Sequence, residues 1–191
     1  DTITAKNIYR LHSKEEMIQK ITAYQPLFEP GTKHEYSNSN YNLLGYIIET
    51  LTKKSYAENI QNRIVKKANL TNTYFPEDKI NSANNESYSY MYDGSTWGKI
   101  EEWENSIAYS AGAIISTPAD LTRFMYALFD GKLIKPSSLE QMKEIKEGYG
   151  KALMQFPFGE RRFYGHTGGI ENFRAVVGYY PTEKLGISLI V

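Results

Sequence analysis

Apolar residues in the first third of the chain recur every three to four positions, which is the period of an α-helix. At two places a serine stands three residues before a glutamate, the spacing of an N-terminal capping box. These serines predict helices over about 14–24 and 55–64. Between them, one apolar stripe predicts a helix over about 39–54. The stripe consists of Leu43, Leu44, Ile47, Ile48 and Leu51.

The helical period is lost over residues 70–105, where Asn, Ser, Tyr and Gly dominate. We expect a long excursion with short strands there, because irregular stretches of this length in a compact domain are usually functional or mobile. Helical spacing returns after Thr117, a favourable N-cap for a helix over about 118–130 with proline at its first position. Ser137 or Ser138 is expected to cap a further helix that ends near residue 146.

After residue 147 the helical spacing gives way to alternation, which is typical of β-strands. Helices followed by strands, without a repeating βαβ order, indicate an α+β protein. We predict a mostly helical region over 1–147 and antiparallel strands over 148–191, both belonging to one domain. The predicted strands cover about 149–156, 162–166, 173–180 and 185–191.

Charge and cysteine content narrow the possible functions. Lysine plus arginine equals aspartate plus glutamate at 22 each, so the formal net charge gives no reason to expect nucleic acid or an anionic membrane as a partner. Cysteine is absent, which removes thiol catalysis and Cys-ligated metal sites. His12, His34 and His166 lack the spacing of metal ligands, so we expect no metal and no cofactor. The first two are expected at the surface or in loops.

Tyr36-Ser37-Asn38 directly precedes the helix over 39–54. In extended backbone, side chains two residues apart point the same way, so Tyr36 and Asn38 can enter one cleft together. A phenol beside a cation can serve as a proton shuttle for an alcohol nucleophile, and a carboxamide can bind a substrate amide. The local alternative is an asparagine N-cap preceded by a packing tyrosine.

The second candidate segment is Gly165-His166-Thr167-Gly168-Gly169. Its glycines let another backbone lie close along the strand, which suits a ligand that pairs as an added strand. A backbone N–H in this segment can also donate to an oxyanion. A bulge at a sheet edge with an incidental histidine is the alternative.

Ser110 lies in Ala108-Tyr109-Ser110-Ala111-Gly112, which is close to the G-x-S-x-G nucleophile elbow of α/β-hydrolases. An elbow requires a helix immediately after the serine. Here residues 113–115 have the pattern of a strand, and the next helix is predicted to begin only at Thr117. We therefore do not expect Ser110 to be the nucleophile.

Three stretches, taken in order, resemble the superfamily of class C β-lactamases, penicillin-binding proteins and related esterases. They cover 30–49, with its Tyr-x-Asn motif, 110–121, with a Ser-Thr-Pro-Ala-Asp helix start, and 164–169, with a His-Thr-Gly motif. Each motif alone is loose, but the three in this order are specific. The resemblance extends over nearly the whole chain.

The resemblance implies a β-lactamase/transpeptidase-like fold and a serine acyl-enzyme mechanism, in which the serine of an S-x-x-K motif is the nucleophile. It assigns Tyr36 as a catalytic proton shuttle and His166 as the catalytic residue that begins the third motif. It assigns substrate binding to Asn38, Thr167, Gly168 and Gly169, with the Gly169 N–H as an oxyanion donor.

Two departures from the family pattern shape the expectation. No S-x-x-K occurs between Asp1 and Val191, and both ends look like cut edges, so we expect a fragment of one catalytic domain that lacks the upstream nucleophile and is incomplete at both ends. His166 stands where many members have lysine, so a fixed cation is replaced by a titratable one. This favours an esterase or peptidase over a dedicated β-lactamase.

We expect the intact protein to hydrolyse an ester, a D-amino-acid peptide or a β-lactam, with a small molecule or peptide as its substrate. The alternative is a non-catalytic relative that binds a peptide or partner protein. Family analogy places it in the periplasm or outside the cell, and the sequence gives no prediction for membrane attachment. Alone, this chain is expected to be inactive, and its uncovered apolar surface predicts that it either associates with another copy or is the ordered part of a larger chain.

Overall fold

The computed structural model describes residues 7–191, and its first two-thirds are mainly helical. The α-helices are α1 (Lys14–Thr22), α2 (Asn38–Thr52), α3 (Tyr56–Ile60), α4 (Lys66–Ala68), α5 (Asn105–Gly112), α6 (Pro118–Phe129) and α7 (Pro136–Met142). A π-helical turn over Gln61–Val65 joins α3 to α4, so this helix runs further than the predicted 55–64. The first six residues of the predicted helical region lie outside the described residues, and its boundary at residue 147 stays a prediction.

Three predicted helix starts are confirmed by their N-caps. The Ser13 side chain accepts a hydrogen bond from the third residue of α1, and Ser55 forms a complete capping box with Glu58. Thr117 accepts from the amide of Asp120 at the start of α6. Because each cap involves residues close together in sequence, the local sequence predicted these helix starts correctly.

The predicted start of α7 is wrong. Pro136 occupies the first turn and Lys135 is the N-cap, so neither serine caps the helix, which ends at Met142. Proline fits this position because its missing N–H would have no partner inside the helix.

The strand expected over 113–115 is also wrong. Only Ile115 pairs there, in an isolated bridge with Tyr74. Ala113 and Ile114 belong to no helix or strand. They follow directly on α5, which contains a break at Tyr109 (φ 37°, ψ −123°). The Tyr109 ring stacks on Tyr46 with centroids 5.0 Å apart, so tertiary packing stabilises a conformation that the local pattern does not predict.

The excursion over 70–105 contains short strands, as predicted. A hairpin is formed by β1 (Tyr90–Tyr92) and β2 (Trp97–Lys99). Three hydrogen bonds join the excursion to the turn after β4, one of them from Asn172 Nδ2 to the Tyr90 carbonyl oxygen at 2.9 Å. Asn172 N donates to Ser89 Oγ at 3.1 Å, and Trp103 N donates to Glu171 Oε1 at 2.8 Å.

Four consecutive strands form one antiparallel sheet in the order β3-β4-β5-β6. They are β3 (Met154–Phe158), β4 (Arg161–Ile170), β5 (Phe173–Tyr180) and β6 (Leu185–Ile190). The first strand was predicted to start at Tyr149, but that residue makes only isolated bridges, so β3 starts later. The second strand was predicted to end at His166, whereas β4 continues through the whole His-Thr-Gly motif. Helices together with an antiparallel sheet confirm the α+β class.

α6 packs on one face of the sheet and fixes the positions of β5 and β6. The rings of Phe129 and Tyr179 lie 4.5 Å apart, and the hydroxyls of Thr122 and Ser188 share a hydrogen bond of 2.8 Å. A Cβ at Gly186 would lie 2.9 Å from Thr122 Cγ2, so glycine permits this close approach. The sheet is thereby held in one position against the helices.

The apolar stripe of α2 faces outward within the described part of the chain. Leu44 is 50%, Ile47 51% and Leu51 77% exposed. The residues of α2 that are buried instead are Asn42, Gly45 and Tyr46. The sequence therefore predicted the helix correctly, but residues 7–191 do not cover the face that its pattern marks as apolar.

Candidate active site

Tyr36 and Asn38 lie on either side of the N-cap of α2. Ser37 is that cap: its hydroxyl accepts from Asn40 N at 3.3 Å, and its backbone is extended (φ −147°, ψ 111°). Because Ser37 takes the capping role, the alternative of an asparagine cap is wrong. The Asn38 side chain is exposed, and Tyr36 keeps 51% of its surface open.

The His-Thr-Gly motif lies on the part of β4 that has a free edge. β3 pairs with β4 only as far as Gly165, opposite Met154. Beyond that point, residues 166–170 pair with β5, and no other strand within residues 7–191 pairs with their second side. The motif therefore faces open space along one edge of the sheet.

The direction of the peptide groups on this edge follows from the pairing of the neighbouring strands. Arg174 exchanges two backbone hydrogen bonds with Val191, of 2.8 and 2.9 Å, so its peptide groups face β6. Gly169 is opposite Arg174 and thus turns its own groups away from β5. Thr167, two residues earlier, does the same. The N–H groups of both residues point to the free edge.

An aromatic cluster joins the two predicted motifs. The ring of Tyr36 lies 6.4 Å from that of His166 and 5.9 Å from that of Tyr149. Tyr149 also stacks on His34 at 5.4 Å. Two motifs that are distant in sequence thus meet at one place, between the start of α2 and the free edge of β4.

Sequence reasoning assigned no site role to Tyr149 and His34. Tyr149 was taken as the start of a strand, and no local signal distinguishes it from the other tyrosines of the chain. His34 and His12 both lie in loops, as expected, but His34 is exposed whereas His12 is buried, at 4% exposed. The buried His12 ring has polar partners, because Nε2 lies 2.8 Å from Asn7 O and Nδ1 lies 3.1 Å from a Glu16 carboxylate oxygen.

Two phenols near the motif, Tyr149 and Tyr41, are held in their protonated form by burial. Burial raises the pKa of Tyr149, with smaller contributions from Tyr36 and Tyr41. Burial also raises the pKa of Tyr41, and Tyr36 adds to that effect. Neutral hydroxyls are hydrogen-bond donors, so at neutral pH Tyr149 and Tyr41 offer donors rather than phenolate anions.

The glycines of the motif differ in what they pack against. A Cβ at Gly165 would lie 1.9 Å from the Val177 carbonyl oxygen, so this glycine is required by the sheet itself. At Gly168 an added Cβ would meet nothing closer than the Ala175 Cβ at 3.6 Å, an ordinary contact. At Gly169 the nearest atom is in the flexible Arg174 side chain, also at 3.6 Å. Packing within the described residues therefore does not explain the last two glycines.

Ser110 is engaged in the contact between α5 and α2. Its hydroxyl donates to the Tyr41 carbonyl oxygen at 2.8 Å. This position agrees with the expectation that Ser110 is not the nucleophile, although the sequence-based reason was wrong because the serine lies in a helix. Its hydroxyl proton serves an interhelical hydrogen bond.

The Beta-lactamase family model matches residues 2–191. The chain belongs to the beta-lactamase family. Among curated proteins it is similar to Protein flp of Staphylococcus aureus (strain MRSA252), with 25% identity over 201 residues, covering 100% of this chain and 38% of that protein. The chain thus spans well under half the length of this relative.

Solved structures of this family confirm the β-lactamase/transpeptidase-like fold. D-amino acid amidase from Ochrobactrum anthropi SV3, complexed with L-phenylalanine, superposes with a TM-score of 0.82 at 27% identity, over 95% of this chain and 56% of that one. A D-stereospecific amidohydrolase from Streptomyces sp. gives a TM-score of 0.85, also at 27% identity, over 96% of this chain and 57% of that one. The family match thus agrees with the order of the three sequence motifs.

Two further properties concern the described residues alone. In residues 7–191, no group of three or more His, Cys, Asp or Glu side chains is arranged to hold a metal ion. No helix in that same range is both long enough and apolar enough to cross a membrane.

The contact between α2 and α5 gives a prediction about stability. We expect Gly45→Ala to lower the free energy of unfolding by about 1–3 kcal/mol, the usual cost of overpacking. The added Cβ would lie 2.1 Å from Ser110 Oγ and 2.6 Å from Ser110 Cβ. The midpoint of urea unfolding measures the effect in the full-length protein.

A second variant separates this clash from a general loss of helix stability. Ser110→Gly removes both clashing atoms, so Gly45→Ala should cost much less in the Ser110→Gly background than in the wild type. Equal costs in both backgrounds would mean that the two helices do not approach each other at this point.

Proposed function

We propose that this chain supplies the Tyr-x-Asn and His-Thr-Gly side of the active site of a serine hydrolase that works through an acyl-enzyme. The observation that carries the proposal is the meeting of Tyr36 and His166 in one cluster beside the free edge of β4. If the two motifs had only unrelated structural roles, the fold would not need to bring them together at this place.

The roles follow from position and chemistry. The exposed phenol of Tyr36 carries a proton between the nucleophile and the leaving group, and Asn38 binds the substrate amide through its carboxamide. The free edge of β4 accepts the substrate backbone as an added strand. Along that edge Gly169 donates its N–H to the developing oxyanion, while Thr167 and Gly168 line the bound substrate.

The nucleophile and its lysine are proposed to come from an S-x-x-K segment outside these residues. Residues 1–191 contain no such motif, although the mechanism requires one. The amidase and the amidohydrolase described above extend well beyond their matched part, which covers 56% and 57% of their chains. The exposed apolar stripe of α2 also needs a further part of the protein to cover it.

The substrate class is proposed to be an amide or ester of a D-amino acid, or a D-amino-acid peptide, rather than a β-lactam. Histidine at position 166 replaces a fixed cation, so a free substrate carboxylate no longer meets a permanent positive charge there. The similarity to a D-amino acid amidase and a D-stereospecific amidohydrolase supports this preference.

A non-catalytic peptide-binding relative is the second candidate, favoured by the lack of S-x-x-K within residues 1–191. Such a protein would use the free edge of β4 to hold an extended peptide without cleaving it. Both candidates are proposed to act in the periplasm or outside the cell, by analogy with the family.

Covalent labelling of the full-length protein separates the two candidates. We expect a fluorescent penicillin to label a serine outside residues 1–191, and a chromogenic D-amino-acid anilide or ester to be hydrolysed. Ser110→Ala should keep both activities. Absence of label and turnover, with retained peptide binding, would establish the binding protein instead.

Expression of residues 1–191 alone provides the complementary test. This chain should neither hydrolyse the substrates nor take the label, and size-exclusion chromatography should show self-association through exposed residues such as Leu51. Hydrolysis by this chain alone would mean that the nucleophile lies within it.

A further inference from the structure

Tyr149 is held at the active site by a rigid backbone. A tight turn closes on it through two hydrogen bonds with Lys146, of 2.8 and 3.0 Å. The next residue, Gly150, donates to the Leu153 carbonyl oxygen at 2.7 Å, and a Cβ at Gly150 would lie 2.1 Å from Met142 O. The backbone on both sides of Tyr149 is therefore fixed, and with it the direction in which the ring leaves the chain.

The ring of Tyr149 lies between the two histidines of the site. It stacks on His34 at 5.4 Å and meets His166 edge to face at 5.8 Å, with Tyr36 at 5.9 Å completing the enclosure. Contacts on several sides leave the ring few orientations. Its hydroxyl is thereby directed to His166 Nε2, at 3.4 Å.

The hydrogen bonds of His166 determine which of its ring nitrogens carries the proton. Nδ1 lies 2.5 Å from the Thr167 carbonyl oxygen. A carbonyl oxygen only accepts, so Nδ1 must donate. In the neutral ring the other nitrogen, Nε2, then has a lone pair and accepts from the Tyr149 hydroxyl, which burial keeps protonated.

We infer that Tyr149 is a positioning residue that holds His166 as the neutral Nδ1–H tautomer, with Nε2 accepting a hydrogen bond from the Tyr149 hydroxyl. The catalytic meaning of this inference rests on the proposed function, whereas the tautomer itself does not. The third motif then presents an uncharged ring where a lysine would present a cation. Without a cation at this position, the site fits uncharged substrates such as amino-acid amides better than substrates that bring a free carboxylate.

The tautomer can be measured directly, without substrate. In the ¹⁵N-labelled full-length protein, we expect the His166 side chain to show a protonated Nδ1 and an unprotonated Nε2, with the signals assigned by their loss in His166→Gln. Tyr149→Phe removes one donor and should change the tautomer ratio about 2- to 10-fold toward Nε2–H, the range expected for one hydrogen bond. Tyr90→Phe, an exposed tyrosine of β1, should leave the ratio unchanged.

A wild-type spectrum with the proton on Nε2, or a ratio that Tyr149→Phe does not change, would overturn the inference. A folding defect is recognised separately, because Tyr149→Phe keeps the ring and should leave the urea midpoint near that of the wild type. If no turnover is found at all, the proposed function fails while the tautomer measurement still decides the inference.

Kinetic measurements distinguish the positioning role of Tyr149 from a purely structural role. On a D-amino-acid amide, Tyr149→Phe should lower kcat by up to about tenfold with little change in KM. On an analogue that brings a free carboxylate to this position, the loss should be smaller. An equal loss on both substrates would contradict the role assigned to the neutral His166 ring.

Discussion

Replacement of Tyr36 by phenylalanine in the full-length protein is expected to slow acyl-enzyme formation by about 10²- to 10⁴-fold, the usual contribution of one general acid–base group. The phenol is half exposed and its ring contacts His166 and Tyr149, so the substitution removes a proton carrier without removing a core residue. The rate of labelling by fluorescent penicillin and kcat/KM for a chromogenic ester both measure the effect.

Tyr90→Phe is the matched control for Tyr36→Phe. Tyr90 is 47% exposed and lies on the β1–β2 hairpin, so the loss of its hydroxyl should leave the labelling rate within about twofold, as for most surface changes. Equal labelling rates for Tyr36→Phe and the wild type would remove Tyr36 from the mechanism.

Replacement of Gly165 by alanine is expected to cost about 3 kcal/mol of stability, at the upper end of overpacking. The new Cβ would lie 1.9 Å from the Val177 carbonyl oxygen and 2.8 Å from Gly178 Cα. Both atoms are backbone of a paired strand that α6 holds from the other side, so they have little freedom to move. We expect a lower urea midpoint together with loss of labelling, because β4 also carries His166 and Thr167.

Gly168→Ala separates these two effects. Its Cβ would make only an ordinary contact with Ala175, at 3.6 Å, so the unfolding free energy should stay within about 0.5 kcal/mol of the wild type. Substrate binding should nevertheless weaken, because the methyl group narrows the space along the free edge.

A wild-type urea midpoint for Gly165→Ala would mean that β4 and β5 pair in another register.

Helix starts were largely predictable because each depends on a few adjacent residues. Ser13, Ser55 and Thr117 all cap their helices through contacts within three residues. α5 was not predictable in this way, because its break at Tyr109 is stabilised by rings from other parts of the chain. The orientation of α2 likewise depends on residues distant in sequence, so its apolar stripe did not predict which face is buried.

The site shows the same division between local and long-range information. Local chemistry identified Tyr36 and His166 as candidates, and only the order of three motifs indicated that they belong together. Tyr149 carries no motif of its own, and its importance comes from a turn that aims it at His166. A residue whose role depends on such long-range geometry leaves no recognisable pattern in a single sequence.

The consecutive order of the four sheet strands has a consequence for folding kinetics. Each strand pairs with the one before it in sequence, so only short loops must close and the contact order of the sheet is low. The hydrogen bonds that Asn172 N donates to Ser89 and that Trp103 N donates to Glu171 close far longer loops, which costs more chain entropy. We therefore expect the β3-β4-β5-β6 sheet to form early in folding and these two hydrogen bonds to form late.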